Sequence, residues 1–177
     1  MEPGPPPEDL EPGVPSHLYE NQGDGTFVLA DSRLPEESNH GYPFTVSWVD
    51  LDADGDLDIY MGNDHGREVL PNRFWRNEGD RFVDASEESG LGVAADTMGV
   101  GIGDLNDDGR PDLAFSGAWE LVILESQADG TWIRTEEARG IELAYGADIG
   151  WGVELADMDN SGSLDLLAAF GFWAALE

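Results

Sequence analysis

The sequence predicts an all-β fold assembled from repeated units of short antiparallel strands, and three observations carry that expectation. Apolar residues recur at every second position in several runs, which is the period of a half-buried strand. A nine-residue acidic stretch with a glycine occurs three times at nearly constant spacing. No segment sustains the 3.6-residue apolar period of a long helix, so a mainly helical fold is excluded. The chain has 177 residues, 40% hydrophobic and 10% aromatic with 23 glycines, enough apolar content for one packed domain and too short for two.

Residues 1–15, MEPGPPPEDLEPGVP, are proline-rich, acidic and without periodicity, and read as an extended linker. They contain no apolar core of a signal peptide, and no run in the chain reaches transmembrane length. From residue 16 onward the chain repeats. DLDADGDLD (residues 50–58), DLNDDGRPD (104–112) and DMDNSGSLD (157–165) begin 54 and 53 residues apart. Between them fall LYENQGDGTF (18–27), FWRNEGDRF (74–82) and ILESQADGTW (123–132). Two landmarks per unit of about 53 residues indicate a repeat architecture.

Each unit reads as four strands. Phe44, Val46 and Trp48, then Met98, Val100 and Ile102, then Trp151, Val153 and Leu155 alternate ahead of the three acidic stretches. Short apolar runs follow them at Ile59-Tyr60-Met61, Leu113-Ala114-Phe115 and Leu166-Leu167-Ala168, suited to inner strands. Asp24-Gly25 and Asp129-Gly130 predict hairpins in which both turn residues take positive φ. Four strands per repeat is the blade of a β-propeller. The expected division is a half blade at 16–40, blades at 41–92 and 93–145, and a half blade at 146–177. That is about three blades' worth, fewer than the four to eight of a closed propeller. Two explanations stay open: a partial propeller belonging to a longer one, or half blades that complete one another head to tail between two chains to give a six-bladed ring.

Eight Lys plus Arg against 38 Asp plus Glu give a formal charge of −30, which excludes a nucleic acid or anionic membrane held by general electrostatics. The absence of Cys removes disulfides, thiolate zinc sites and cysteine nucleophiles. The acidic stretches carry the chemistry. Aspartates at positions one, three and five of a tight loop aim short oxygen ligands at one point, and the glycine that follows lets the backbone reverse. Position seven adds a backbone carbonyl and position nine a carboxylate. Such flexible all-oxygen cages suit Ca²⁺ better than Mg²⁺.

In the first loop the expected side-chain ligands are Asp50, Asp52, Asp54 and Asp58, with Asp56 giving its carbonyl. The second offers Asp104, Asn106, Asp108 and Asp112, with Arg110 at the carbonyl position. The third offers Asp157, Asp159, Ser161 and Asp165, with Ser163 at the carbonyl position. Up to three Ca²⁺ are expected, the third held most weakly because Ser161 replaces a carboxylate. Solvated turns would have no reason to keep Asp at positions one and nine three times in register. An EF-hand is excluded, because its position twelve needs Glu and this chain has Met61, Phe115 and Ala168 there.

These loops at their 53-residue spacing, with the LYENQGDGTF segment and FVDASEESGLG (82–92), resemble the FG-GAP/VCBS repeats of integrin-α-type propellers. The resemblance is nearest to the family related to cartilage acidic protein, whose members often carry a following ASPIC/UnbV module that this sequence lacks. It implies a calcium-stabilised binding scaffold that is extracellular, periplasmic or at the cell surface, with a protein or glycan ligand and no catalytic residue to transfer. The Phe-Gly of the family name is replaced by Phe44-Thr45, Met98-Gly99 and Trp151-Gly152, and the literal Phe170-Gly171 is out of register. Integrin-type ligand recognition is therefore not carried over.

A lectin is the competing expectation, because six Trp and four Tyr offer surfaces for sugars. Trp48 and Trp151 sit at strand-core positions, Trp75 and Trp132 on outer hairpins open to solvent, and Trp119 and Trp173 near loop ends, where sugar stacking is best placed. An enzyme is disfavoured: no GxSxG, HExxH or phosphate loop is present, and His17, His40 and His65 are scattered.

Overall fold

The computed structural model describes residues 13–141 and 149–171. Trp173, residues 1–12 of the proline-rich segment, and the 145/146 boundary lie outside them. Among the described residues twelve strands pair antiparallel into sheets of two, four, four and two strands, an all-β architecture. The first pair is β1 (Tyr19–Asn21) and β2 (Phe27–Leu29). β3 (Tyr42–Val49), β4 (Asp58–Asp64), β5 (Arg73–Asn77) and β6 (Phe82–Asp84) follow as a meander in chain order. β7 (Thr97–Gly103), β8 (Asp112–Gly117), β9 (Glu120–Ser126) and β10 (Trp132–Arg134) repeat it. β11 (Ile149–Ala156) and β12 (Asp165–Gly171) form the last pair. A single helical turn, α1 (Ser86–Ser89), links the two complete sheets and ends at Gly90 with φ 83°.

The predicted alternation falls on these strands. Val100 and Ile102 of β7 point back to the preceding sheet and pack with Tyr60, Phe74, Leu113 and Phe115 in the main core. Gly99, Gly101 and Gly103 point forward, and a β-carbon on Gly99 would stand 2.5 Å from Gly152 Cα. β7 and β11 therefore approach more closely than side chains would allow. Ala114, Leu121, Ile123 and Val153 fill the space between the third sheet and β11–β12. Ile59, Met61, Trp75 and Phe82 form a smaller cluster on the opposite face of the second sheet, capped by Leu18 and Leu34.

The tryptophan expectations are reversed. Trp75 and Trp132 are buried, whereas Trp48 and Trp151 are about half exposed (50% and 45%). Trp75 stands in the second sheet's own cluster and donates from Nε1 to Ser38 Oγ at 3.1 Å, and Trp132 is in the main core between the sheets. Trp48 lies on a β3 face that no described strand covers, and Trp151 lies against Gly171 of β12. The hairpin expectation is also corrected: Gly25 and Gly130 take positive φ, but Asp24 and Asp129 do not. Each aspartate instead accepts bonds from the N–H and hydroxyl of the threonine two residues on, which closes a longer loop.

Candidate metal centre

All three acidic stretches join the first two strands of their sheets, β3 to β4, β7 to β8 and β11 to β12. They share one frame of hydrogen bonds. The carboxylate at position one accepts the N–H of the glycine at position six: Asp50 from Gly55 at 3.0 Å, Asp104 from Gly109 at 2.7 Å, Asp157 from Gly162 at 2.9 Å. Position nine accepts the N–H of position two: Asp58 from Leu51 at 3.0 Å, Asp112 from Leu105 at 2.9 Å, Asp165 from Met158 at 3.2 Å. The side chain at position five accepts the N–H of position seven: Asp54 from Asp56, Asp108 from Arg110, Ser161 from Ser163. At position four Ala53, Asp107 and Asn160 take φ of 62°, 59° and 60°, and the position-six glycines lie at 96°, 86° and 93°. Two left-handed residues separated by one fold the loop back on itself; the glycine adopts that conformation without steric cost.

Within this frame the loops differ. Asp50, Asp52 and Asp58 each offer a carboxylate oxygen within 4.8 Å of the others, and so do Asp157, Asp159 and Asp165. Asp54 and Asp56 do not offer carboxylate oxygens to the first of these groups. The second loop has Asn106 where the others have Asp52 and Asp159, and among the described residues it forms no such group of three. Arg110 does more than occupy a carbonyl position there. Its guanidinium pairs with Asp108 Oδ2, so the loop supplies its own cation.

The electrostatics match this geometry. Asp50 Oδ1 is buried with no hydrogen-bond partner. A buried anionic oxygen without a partner is costly unless a cation meets it. Burial, followed by the charges of Asp54 and Asp50, raises the Asp52 carboxyl above its usual value. Asp58 and Asp112 are fully buried at the starts of β4 and β8, and burial raises both. Asp104 is held below the usual range, first by the Gly109 N–H. At positions one, three and nine the first and third loops thus fit a hard divalent cation, whereas the second has an amide at position three in place of a carboxylate.

Sequence reasoning missed two roles. The position-nine aspartates also reach the third strand: Asp58 Oδ1 accepts from Asn77 N–H at 2.8 Å and Asp112 Oδ1 from Ser126 N–H at 3.0 Å. Part of the signal was available, since each opens an apolar strand that runs inside a four-stranded sheet. The Arg110–Asp108 pair was legible as opposite charges two residues apart in a tight turn. His65 lies in the β4–β5 turn with φ 53°, beside Asp64 and edge-on to Tyr42.

The chain belongs to the FG-GAP-like repeat family, whose pattern matches three overlapping segments, residues 13–61, 50–115 and 104–168. Among curated relatives, cartilage acidic protein 1 of Homo sapiens is 27% identical over 166 residues, covering 89% of this chain and 24% of that protein. Its Mus musculus counterpart is 26% identical over 166 residues, covering 89% and 25%. The chain spans about a quarter of the length of these relatives.

Proposed function

We propose that this chain is a run of β-propeller blades stabilised by Ca²⁺, serving protein interaction or adhesion outside the cell, in a periplasm or at a cell surface. The observation that carries the metal reading is the threefold acidic frame with a buried, unpartnered Asp50 oxygen at its first copy. Asp50, Asp52 and Asp58 would hold the first ion, with Asp54 and the Asp56 carbonyl completing the set. Asp157, Asp159 and Asp165 would hold another, helped by Ser161 and Ser163. Asp104, Asn106, Asp108, Asp112 and Arg110 form the weakest site, because Arg110 already neutralises Asp108. This order replaces the expectation that the third loop binds least. Calcium would supply positive charge to clustered carboxylates and tie the ends of paired strands together. Three such ions would lower the charge of −30 by six, to −24, leaving a strongly acidic surface.

Among the described residues no helix is long and apolar enough to cross a membrane. No catalytic residue is assigned. Thermal melting across a calcium titration tests the proposal: the melting temperature should rise with Ca²⁺ and the rise should shrink in Asp50→Ala. A melting temperature indifferent to calcium would contradict it.

A carbohydrate-binding reading has one observation in its favour. Trp119 is 39% exposed in the β8–β9 turn at φ 64°, a left-handed conformation that is strained for a bulky side chain. A glycan array with and without chelator separates the readings, since Trp119→Ala should abolish glycan binding only if the second is correct.

A further inference from the structure

Four Asp–Gly bonds lie in the chain, at Asp24–Gly25, Asp54–Gly55, Asp108–Gly109 and Asp129–Gly130. The aspartate and glycine of each are exposed. Such a bond rearranges without an enzyme. The glycine nitrogen attacks the aspartate Cγ, and the new C–N bond closes a cyclic imide. A carboxyl oxygen leaves as water, carrying the amide proton and a proton from solvent. Water then adds to the main-chain carbonyl carbon of the imide and breaks its bond to nitrogen. The backbone now runs through the side-chain carbon, as an isoaspartate of unchanged mass. Glycine hinders the attack least because it has no β-carbon.

The four bonds share their geometry in all but one respect. In each, the aspartate side chain accepts the N–H two residues on: Asp24 from Thr26 at 3.0 Å, Asp54 from Asp56 at 2.8 Å, Asp108 from Arg110 at 3.0 Å and Asp129 from Thr131 at 3.1 Å. The carboxyl group is thus folded over the glycine peptide in the same way four times. The glycine φ angles are 92°, 96°, 86° and 82°, and the space around each missing β-carbon is open. What changes is the acceptor of the glycine N–H. Gly55 and Gly109 donate to the position-one carboxylates of Asp50 and Asp104, at 3.0 and 2.7 Å. Gly130 donates to the Gln127 carbonyl at 3.0 Å. Among the described residues the Gly25 N–H has no acceptor.

We propose that Asp24 is the site of spontaneous isomerisation in this protein, and that Asp50 and Asp104 shield Asp54 and Asp108 from the same reaction. A bonded N–H holds its peptide plane, and the nitrogen must turn that plane to reach Cγ. A carboxylate is too weak a base to remove an amide proton, so the bond stabilises the unreacted peptide and does not assist attack. Bonds to charged acceptors are about twice as strong as those to neutral ones. The expected order of rates is therefore Asp24, then Asp129, then Asp54 and Asp108. The freedom of Gly25 is local. Its loop is closed by its own residues, through Gln22 N–H to Thr26 O at 2.9 Å. Asp129–Gly130, at the same place in a complete sheet, is equally exposed. The shield also gives position one a role that needs no metal: the second loop keeps Asp104 although Arg110 already pairs with Asp108. At Asp24 the product lengthens the backbone and shortens the side chain, so the Thr26 bonds that close the hairpin loop are lost.

The test is to age the full chain at neutral pH, with calcium and with chelator, digest it, and quantify isoaspartate at the four positions by electron-transfer fragmentation. Asp24 should convert at least about tenfold faster than Asp54 or Asp108, the ratio that one hydrogen bond to a charged acceptor sets. In Asp104→Ala, Asp108 should approach the Asp24 rate while Asp54 stays slow. Asp104→Asn keeps an oxygen acceptor for the Gly109 N–H and should keep Asp108 slow. Should Asp104→Ala lose its fold, shown by a rise at Asp54 as well, the order in the unmodified protein decides. Conversion at Asp24 no faster than at Asp54 and Asp108 overturns the proposal, as does an Asp108 that stays slow in folded Asp104→Ala. Shielding that appears only with calcium overturns the role given to the carboxylates. Because the same order is expected with and without calcium, its failure is distinct from failure of the calcium reading.

Discussion

The first and second acidic loops share a backbone and differ in how their charge is met. Both pin position one to the glycine N–H and position nine to position two and the third strand. In the first loop three carboxylates converge and Asp50 keeps a buried oxygen without a partner. In the second, Asn106 removes one charge and Arg110 neutralises another. Backbone form and cation demand are therefore separable: the loop shape is built by hydrogen bonds, and the need for a metal is set by three side chains.

The largest effect tests the shared frame. Asp58→Ala leaves the N–H groups of Leu51 and Asn77 without acceptors in a buried site, at a cost of about 2–5 kcal/mol. Asp112→Ala does the same to Leu105 and Ser126, and chemical denaturation should show losses of similar size in chelator. A loss confined to Asp58→Ala would break the comparison.

Next comes the metal increment. With a dissociation constant of ~0.1 mM and ~2 mM calcium, one site contributes roughly 1.8 kcal/mol by mass action. Asp50→Asn should remove that much of the calcium-dependent stability, and Asp104→Asn clearly less, as read from melting with and without calcium.

A smaller effect sharpens the contrast. Arg110→Ala should lower the chelated protein's stability by about 0.5–1 kcal/mol through loss of the Asp108 pair. It should also increase the calcium response, because Asp108 becomes free for the ion. Isothermal titration of the variant against the parent checks the second half.

The smallest effect is a control at the opposite end of β8. Glu120 is raised above its usual 4.5, by burial first, against the lowering by Arg67, which it meets at 2.5 Å. The folded protein thus holds this proton more tightly than the unfolded chain. The associated stability is present below pH 4.5 and is lost as the pH rises through the folded value. Glu120→Gln should flatten that part of the melting temperature against pH, equally with and without calcium. A calcium-dependent difference would show that this end of the sheet is coupled to the loops.

Much of the architecture was legible because its signals are local. The period-two runs around Val46, Val100 and Val153 became β3, β7 and β11, and each acidic stretch became the loop between paired strands. The tryptophans were not legible. Alternation places Trp48 on one face of β3, but whether a neighbouring sheet covers that face is a long-range fact, and none of the described strands does so. Trp75 and Trp132 looked peripheral from their hairpins, yet they are enclosed in clusters that join residues far apart in the chain. At the loops, the residue types and spacing were readable. The burial of Asp58 and the capture of Asp108 by Arg110 depended on strand position and side-chain geometry.

Crystals grown in abundant calcium, examined by anomalous diffraction, test the separation of frame from cation demand most directly. The account predicts a strong peak among Asp50, Asp52 and Asp58, another among Asp157, Asp159 and Asp165, and a weaker one at the Arg110 loop. No peak at the first loop, or the strongest peak at the second, would contradict it.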